Sequence, residues 1–410
     1  KLNNDYGSIP LADLLEPAIK YAKDGFAVGE RCSFDFSSNF DLLKNDRDIA
    51  KVFLKNNKTF QMGEILKQPK LAKTLEGIAL NGREGFYSGW VADDILKKLK
   101  SMGGHHTNYD FENAISNYVN PIKTNFRGYD VWECPPNGQG IIALLLLNIM
   151  SGVETFGDNP LSIERVHAEI EAGKLAYNER SIYLADPEFS EVPVKKLLSS
   201  SFAENLRKKI KSSTVLKKPW FSELPEHKST VYITVVDKDR NACSLINTIF
   251  HSFGSGILCP ESGVILQNRG MGFVVNPEHP NCIEPLKRPL HTIIPGMMTK
   301  DSKTIMSFGV MGGEYQAFGH MQFLTRLIDY NFNIQAAQDL PRFFPDPFSD
   351  RIDLENSIPH NIKNELTKLG HNVSYSVKPI GGSQAIWIDP YTNHLIGGSD
   401  PRKDGCAIGY

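Results

Sequence analysis

The chain has 410 residues, of which 41% are hydrophobic and 22% charged, as is usual for a globular protein. Its formal net charge of −2 gives no electrostatic reason to expect a nucleic-acid partner. The longest apolar stretch, Ile141 to Met150, is about half the length that a membrane-spanning helix needs, so we predict a buried helix there and no membrane span.

The cysteines and histidines give no metal-binding pattern. No two cysteines form a C-x-x-C pair, and the His105-His106 pair lacks ligand spacing and is expected in a solvated loop. We therefore predict no metal and no cofactor, and free, mostly buried thiols. Scattered cysteines slightly favour a cytoplasmic over a periplasmic or secreted location. The chain begins at Lys1, so its targeting is not interpreted. The six cysteines are Cys32, Cys134, Cys243, Cys259, Cys282 and Cys406.

The first half of the chain is mostly helical in pattern. Apolar residues recur at spacings of three and four, and punctuating glycines and prolines separate the runs. Residues 208–225 are polar, with paired lysines and two prolines, and are interpreted as an exposed linker. The predicted helices cover residues 10–22, 90–102, 141–153 and 163–180.

The second half changes to short strand-like runs. Residues 230–236 alternate, turn through a polar segment at 237–241, and re-enter an apolar run at 242–249, which predicts a hairpin. Helices are predicted near 320–331, 334–340 and 361–370, and a last strand pair at 383–388 and 394–396. Without βαβ alternation, a Rossmann arrangement is disfavoured.

Several short motifs follow one another in a fixed order along the whole chain, and together they resemble the γ-glutamyltransferase family. In the first half they are Tyr6-Gly7, Pro10, Pro17-Ala18, Ala22-Lys23-Asp24-Gly25-Phe26, Phe86-Tyr87-Ser88-Gly89, Pro135-Pro136-Asn137-Gly138-Gln139-Gly140, Ala176-Tyr177-Asn178-Glu179-Arg180 and Tyr183-Leu184-Ala185-Asp186-Pro187. In the second half they are Gly254-Ser255-Gly256, Glu261-Ser262-Gly263, Lys287-Arg288-Pro289-Leu290, Gly312-Gly313, Ser399-Asp400-Pro401-Arg402 and Gly409-Tyr410.

The resemblance implies an α/β (α+β) fold, the αββα four-layer sandwich of the N-terminal-nucleophile hydrolases. It also implies a precursor that cuts itself before Thr230, giving a large-subunit region at residues 1–229 and a small-subunit region at 230–410 within one intertwined domain. The family's own N-terminal stretch, with a first hairpin and a substrate-binding arginine, has no counterpart here.

The resemblance also implies the catalytic residues. A freed Thr230 would use its own α-amine as the base for its hydroxyl. Thr248, placed on the partner strand, would orient that hydroxyl. The N–H groups of Gly312 and Gly313 would stabilise the oxyanion. The alternatives are two ordinary strand threonines and a tight glycine turn.

The substrate loop departs from the family pattern. Typical members place paired aspartates for the substrate amine where this chain has Gly272, and a serine pair where it has His291-Thr292. Arg269 is added, and Phe250 replaces a polar residue. These changes resemble the branch that contains cephalosporin acylases, and the planar guanidinium of Arg269 suits an acyl chain that ends in a carboxylate. Arg269 is alternatively a structural ion-pair partner, and His291 either donates to a carboxylate or packs under the loop.

The sequence therefore predicts a self-processing enzyme that cleaves or transfers a γ-glutamyl or glutaryl-type acyl group from a small amide to water or an amine, as in glutathione metabolism. A non-catalytic, uncleaved binding or scaffold protein is the competing hypothesis. The enzyme is expected to bind that amide substrate and no nucleic acid. Its two subunits come from one precursor, and further dimerisation is left open.

Overall fold

The computed structural model describes residues 1–217 and 230–410, and the chain divides into two units. The first contains Lys1–Tyr118 and His251–Asn268, and the second contains Val119–Phe250 and Arg269–Tyr410. Each unit therefore takes residues from both sides of the proposed cleavage point before Thr230.

The first unit is mainly helical. The helix predicted at 10–22 is confirmed as α2 and ends at Gly25, where a φ of 98° suits a residue without a Cβ. The helix predicted at 90–102 is confirmed as α8. The helices are α1 (Leu2–Tyr6), α2 (Leu11–Asp24), α3 (Glu30–Ser38), α4 (Phe40–Asn45), α5 (Arg47–Phe53), α6 (Pro69–Asn81), α7 (Glu84–Tyr87), α8 (Gly89–Ser101) and α9 (Asn108–Glu112). The unit also contains two two-stranded ribbons, in which β1 (Phe26–Ala27) pairs with β4 (Ile65–Leu66) and β2 (Leu54–Lys55) pairs with β3 (Lys58–Thr59).

The second unit is built on a six-stranded antiparallel sheet in the order β15-β14-β10-β9-β6-β5. Its strands are β5 (Ile122–Phe126), β6 (Tyr129–Glu133), β9 (Gly296–Lys300), β10 (Lys303–Met311), β14 (Gly382–Ile388) and β15 (Leu395–Ser399). The last two confirm the predicted final strand pair. β5 and β6 were missed, because polar residues alternate with only a few apolar ones over Ile122–Phe126.

The predicted hairpin is confirmed as β7 (Val231–Val236) paired with β8 (Ala242–Asn247). It stacks on β10, where the Thr234 hydroxyl donates to Ser307 Oγ at 2.6 Å and Ser244 Oγ donates to the Phe308 carbonyl at 3.2 Å. A Cβ at Gly309 would lie 2.3 Å from the Tyr232 ring, so the close approach requires glycine there. The hairpin is thus fixed against the centre of the sheet.

Helices cover the opposite face of the sheet. α10 (Gly140–Met150) is buried along its whole length, as predicted for the 141–153 run, and packs against α11 (Ile163–Tyr183) and α14 (Tyr315–Ile328). The prediction at 163–180 is confirmed by α11, and those at 320–331, 334–340 and 361–370 by α14, α15 (Ile334–Asp339) and α16 (His360–Leu369). The remaining elements are α12 (Val194–Leu197), α13 (Ser200–Arg207), and a small sheet of β11 (Phe343–Pro345), β12 (Arg351–Leu354) and β13 (Asn372–Tyr375).

The Ser-Asp-Pro-Arg motif near the C-terminus forms a buried ionic network. Asp400 accepts from Arg342 and, at 2.9 Å, from the Ser383 N–H. Arg402 donates to both Glu355 oxygens at 2.6 Å. Although burial opposes it, these guanidinium groups hold the pKa values of Asp400 and Glu355 below their ordinary range. The motif therefore joins the end of β15 to the small sheet.

Two composition-based expectations have different outcomes. All six cysteines are free, but only Cys259 is buried, while Cys243 and Cys406 are exposed, so the expectation of mostly buried thiols was wrong. Cys243 is exposed because it lies on the outward face of β8. His105 and His106 lie in an exposed loop, as predicted. Within the described ranges, no helix is long and apolar enough to cross a bilayer. The predicted linker at 208–225 is described only to residue 217.

Candidate functional site

Thr230 lies at the open end of the hairpin, immediately before β7. The last hairpin pair is Val231 with Asn247, so Thr230 and Thr248 lie one position beyond it on the two chains. Thr230 is half-buried, and its hydroxyl oxygen accepts a hydrogen bond of 3.2 Å from Gln316 Nε2. The hydroxyl is therefore positioned by a helix that packs on the sheet.

Thr248 follows β8 and belongs to a turn. Its Oγ1 accepts the Phe250 N–H at 2.9 Å. The strand ends at Asn247, so the prediction that Thr248 lies within the partner strand was wrong by one residue. The cause is the turn itself, in which Phe250 adopts a left-handed φ of 78° that a strand does not allow. Thr248 nevertheless lies at the same end of the hairpin as Thr230.

Gly312 and Gly313 connect β10 to α14 in left-handed conformations, with φ values of 124° and 58°. A Cβ at Gly312 would lie 2.8 Å from Gly381 Cα, so only glycine fits. Their carbonyls accept from the N–H groups of Tyr315 and Gln316. Among residues 1–217 and 230–410, their own N–H groups donate to no other backbone or side-chain group. Two adjacent amides without an internal acceptor are what an oxyanion site requires.

A buried glutamine connects this turn to Thr292. Gln139 Nε2 donates to the carbonyls of Gly313 and Thr292, each at 3.0 Å. Its Oε1 accepts from Arg180 at 3.0 Å, and Arg180 also pairs with Glu314. Gln139 and Arg180 are both 0% exposed. One side chain therefore fixes the spacing between the glycine turn and Thr292.

Arg269 lies in a single turn of 3₁₀ helix at Arg269–Gly272. Its guanidinium carbon is 4.3 Å from the centre of the Phe250 ring, and Nη1 donates to Thr292 Oγ1 at 3.3 Å. Burial lowers the pKa of Arg269 to about 10, so the group stays charged at neutral pH. The structure thus brings Arg269, Phe250 and Thr292 together, with the guanidinium over the aromatic ring.

His291 and Gly272 complete the residues predicted for the loop. Burial, and then the charge of Arg269, lower the pKa of His291 to about 3. Its Nδ1 accepts the Ile293 N–H at 3.2 Å, so the neutral ring carries its proton on Nε2. A Cβ at Gly272 would lie 3.0 Å from the Leu290 carbonyl oxygen, closer than most side chains tolerate. An aspartate at 272 would therefore need the loop to shift.

Sequence reasoning missed Gln139, Arg180 and Gln316. The first two belong to motifs that carried the family resemblance, but nothing in those motifs indicated which side chain they contact. For Gln316, the sequence offered no indication of a role except that the residue follows Gly313 by three positions.

A cluster on α11 was also missed, and it contacts the segment 211–216. His167 Nε2 bonds the Lys211 carbonyl at 2.8 Å, Glu171 accepts the Leu216 N–H at 2.7 Å, and Lys174 pairs with Glu171. His167 Nδ1 lies 2.8 Å from His371 Nε2. Because a carbonyl only accepts, His167 carries its proton on Nε2 and His371 must donate from its own Nε2. His167, Glu171 and His371 could place ligand atoms within 4.8 Å of one another. His167 and Glu171 already bond residues 211 and 216, and Glu171 is paired with a lysine cation.

The whole chain matches a known protein family. The family model described as gamma-glutamyltranspeptidase matches residues 1–410. The chain is 34% identical to the glutathione hydrolase-like YwrD proenzyme of Bacillus subtilis, over 99% of this chain and 78% of that protein. It is 30% identical to the acylase ACY 1 proenzyme of a Pseudomonas species, over 98% of this chain and 72% of that protein.

A solved structure extends the likeness to three dimensions. The cephalosporin acylase of Bacillus halodurans superposes with a TM-score of 0.91 at 36% identity, over 100% of this chain and 76% of that one. The predicted N-terminal-nucleophile hydrolase fold is thereby confirmed. The chain belongs to the γ-glutamyltranspeptidase family and, like the hydrolases and acylases that it matches, is an acyl-cleaving enzyme.

Proposed function

We propose that Thr230 is the nucleophile of this enzyme and that it becomes active when the chain cuts itself immediately before it. The observation that carries this proposal is the juxtaposition at the hairpin end. Gln316 extends from the glycine turn to the Thr230 hydroxyl, through a backbone bond to Gly313 and a side-chain bond to Oγ1. A single residue thus links the nucleophile hydroxyl to the Gly313 carbonyl in the glycine turn.

The cut consists of two steps. The Thr230 hydroxyl adds to the carbonyl of residue 229, the C–N bond breaks, and the acyl group passes to oxygen as an ester while nitrogen takes the proton. Water then hydrolyses the ester, leaving a carboxylate on residue 229 and a free α-amine on Thr230. One subunit then ends at residue 229 and the other begins at Thr230. The freed amine has a reference pKa of about 7.7–8.0, which suits a general base near neutral pH.

Turnover repeats this chemistry on an external amide. The α-amine of Thr230 takes the hydroxyl proton as oxygen attacks the substrate carbonyl, and the N–H groups of Gly312 and Gly313 receive the developing negative charge. The proton passes to the leaving amine as the C–N bond breaks. Water or a second amine then releases the acyl group from Thr230, giving hydrolysis or transfer. Thr248, at the same end of the hairpin, orients the hydroxyl.

The favoured acyl group ends in a carboxylate. Arg269 is a buried cation directed by Phe250 and Thr292, and a guanidinium binds a carboxylate with two parallel hydrogen bonds. Neutral His291 can add a donor from Nε2, whereas Gly272 offers no carboxylate for a substrate amine. The site therefore suits a glutaryl-type acyl group at least as well as a γ-glutamyl group, with a small amide as substrate and water or an amine as acceptor.

Intact-mass measurement on purified protein tests the proposal. The wild type should give two pieces that meet between Ser229 and Thr230, whereas Thr230→Ala should stay whole and cleave no anilide substrate. Thr234→Ala is the matched control, because it removes a threonine within β7 of the same hairpin and should still process. A wild-type chain that remains whole and inactive would instead support the binding or scaffold hypothesis.

A further inference from the structure

We propose that Gln316 takes part in the chemistry of Thr230, holding its hydroxyl before the cut and accepting a hydrogen bond from its new α-amine afterwards. This inference rests on the proposed role of Thr230 and adds a residue that the family resemblance did not supply. Gln316 lies in the first turn of α14 and is 0% exposed. Its backbone N–H donates to the Gly313 carbonyl at 3.2 Å.

The donor half of the side chain already has a partner. Gln316 Nε2 donates to Thr230 Oγ1 at 3.2 Å. Since this bond occupies a lone pair of the hydroxyl oxygen, the hydroxyl proton stays available for transfer. The bond also limits rotation of the Thr230 side chain.

The acceptor half has no such partner. Gln316 Oε1 is buried, and within residues 1–217 and 230–410 no group donates a hydrogen bond to it. It is bonded to the same carbon as Nε2, so it is held in the neighbourhood of Thr230. Most buried polar atoms are satisfied, and an exception calls for an explanation.

The cut would supply the missing donor. Before it, the Thr230 nitrogen is an amide with one N–H, and afterwards it is an amine or ammonium with two or three. A bond from this nitrogen to Oε1 would satisfy the acceptor only in the processed enzyme. Because hydrogen bonds from charged donors are the stronger ones, the bond would favour the ammonium form and raise the pKa of the amine.

The test compares Gln316→Met and Gln316→Glu with the control Gln322→Met. Methionine keeps the length of the side chain but removes donor and acceptor, while glutamate keeps an acceptor and adds charge. Gln322 is also buried on α14, but its side chain bonds the Tyr315 hydroxyl, whereas the Gln316 side chain bonds Thr230. Processing is followed by electrophoresis, and kcat/KM against pH is measured on the processed enzyme with the anilide that the wild type cleaves faster.

We expect Gln316→Met to slow processing about tenfold or more and to move the acidic limb of the kcat/KM profile about one pH unit lower. Gln316→Glu should move that limb upward, and Gln322→Met should leave it in place. Thermal unfolding of each variant identifies any that fails to fold, in which case the direction of the Gln316→Glu shift decides.

Profiles and processing rates that match the wild type in both Gln316 variants would overturn the proposal. A Thr230→Ala protein that still turns over substrate would instead overturn the role of Thr230 itself, so the two failures can be told apart.

Discussion

Replacing Gln139 by Met should damage turnover more than it damages the fold. Methionine has similar length but no polar group, so it leaves the Gly313 and Thr292 carbonyls without their side-chain donor. The Gly313 carbonyl keeps the Gln316 N–H at 3.2 Å, whereas the Thr292 carbonyl is left with no donor among residues 1–217 and 230–410. One unsatisfied buried group costs about 1–3 kcal/mol of stability if nothing rearranges. Arg180 keeps its pairing with Glu314, which limits the loss.

The effect on rate follows from the position of Gly313. Removing an entire oxyanion donor costs about 100- to 1000-fold in kcat, and displacing one should cost less, roughly 10- to 100-fold. The control is Gln338→Met, which removes another fully buried glutamine that donates to the Gly398 carbonyl at 3.5 Å, away from Thr230.

Denaturant unfolding gives the stability loss and steady-state kinetics gives kcat. If Gln139→Met loses stability but keeps wild-type kcat, as Gln338→Met should, then Gln139 does not position the glycine turn and the reasoning is wrong.

Three further outcomes are expected. Thr230→Ala should abolish turnover, whereas Thr248→Ala should only lower kcat, because orienting the hydroxyl contributes less than supplying it. Equal losses of kcat in steady-state assays would contradict this. Arg269→Ala should lower kcat/KM for a glutaryl anilide more than for a γ-glutamyl anilide, and an equal loss would show that Arg269 is structural. The pKa of Asp400 is held low in the folded protein, so the stability that this carboxylate contributes is present above the ordinary Asp range and is lost as pH falls through the lowered value. Unfolding free energy measured against pH should show this loss, and Arg402→Met should make the pH dependence weaker.

The elements that carry a strong local pattern could be predicted from the sequence. Alternation over 230–236, with a polar turn behind it, specifies a hairpin, and the uninterrupted apolar run of α10 specifies a buried helix. The ordered motifs also nominated Thr230 and the pair Gly312-Gly313 as candidate catalytic residues. The hairpin and the buried helix depend on residues that are neighbours in the chain, so a single sequence is enough to predict them.

Features that depend on the approach of distant segments could not be predicted. Gln316 reaches Thr230 only because α14 and the hairpin meet at the same end of β10. Arg269 stacks on Phe250 only because Phe250 adopts a left-handed backbone, which its residue type does not announce. The two-residue ribbons of the first unit are likewise too short to leave a periodic pattern.

The order of strands in the central sheet has a consequence for the processed molecule. β5 and β6 precede the proposed cut, while β9, β10, β14 and β15 follow it, and the seam between the two groups is the antiparallel pairing of β6 with β9. Neither fragment holds a complete sheet, so separating them exposes backbone groups and apolar core at once. The nicked protein should melt as one cooperative body, yet its melting point should rise with protein concentration, because unfolding now releases two chains where the precursor releases one.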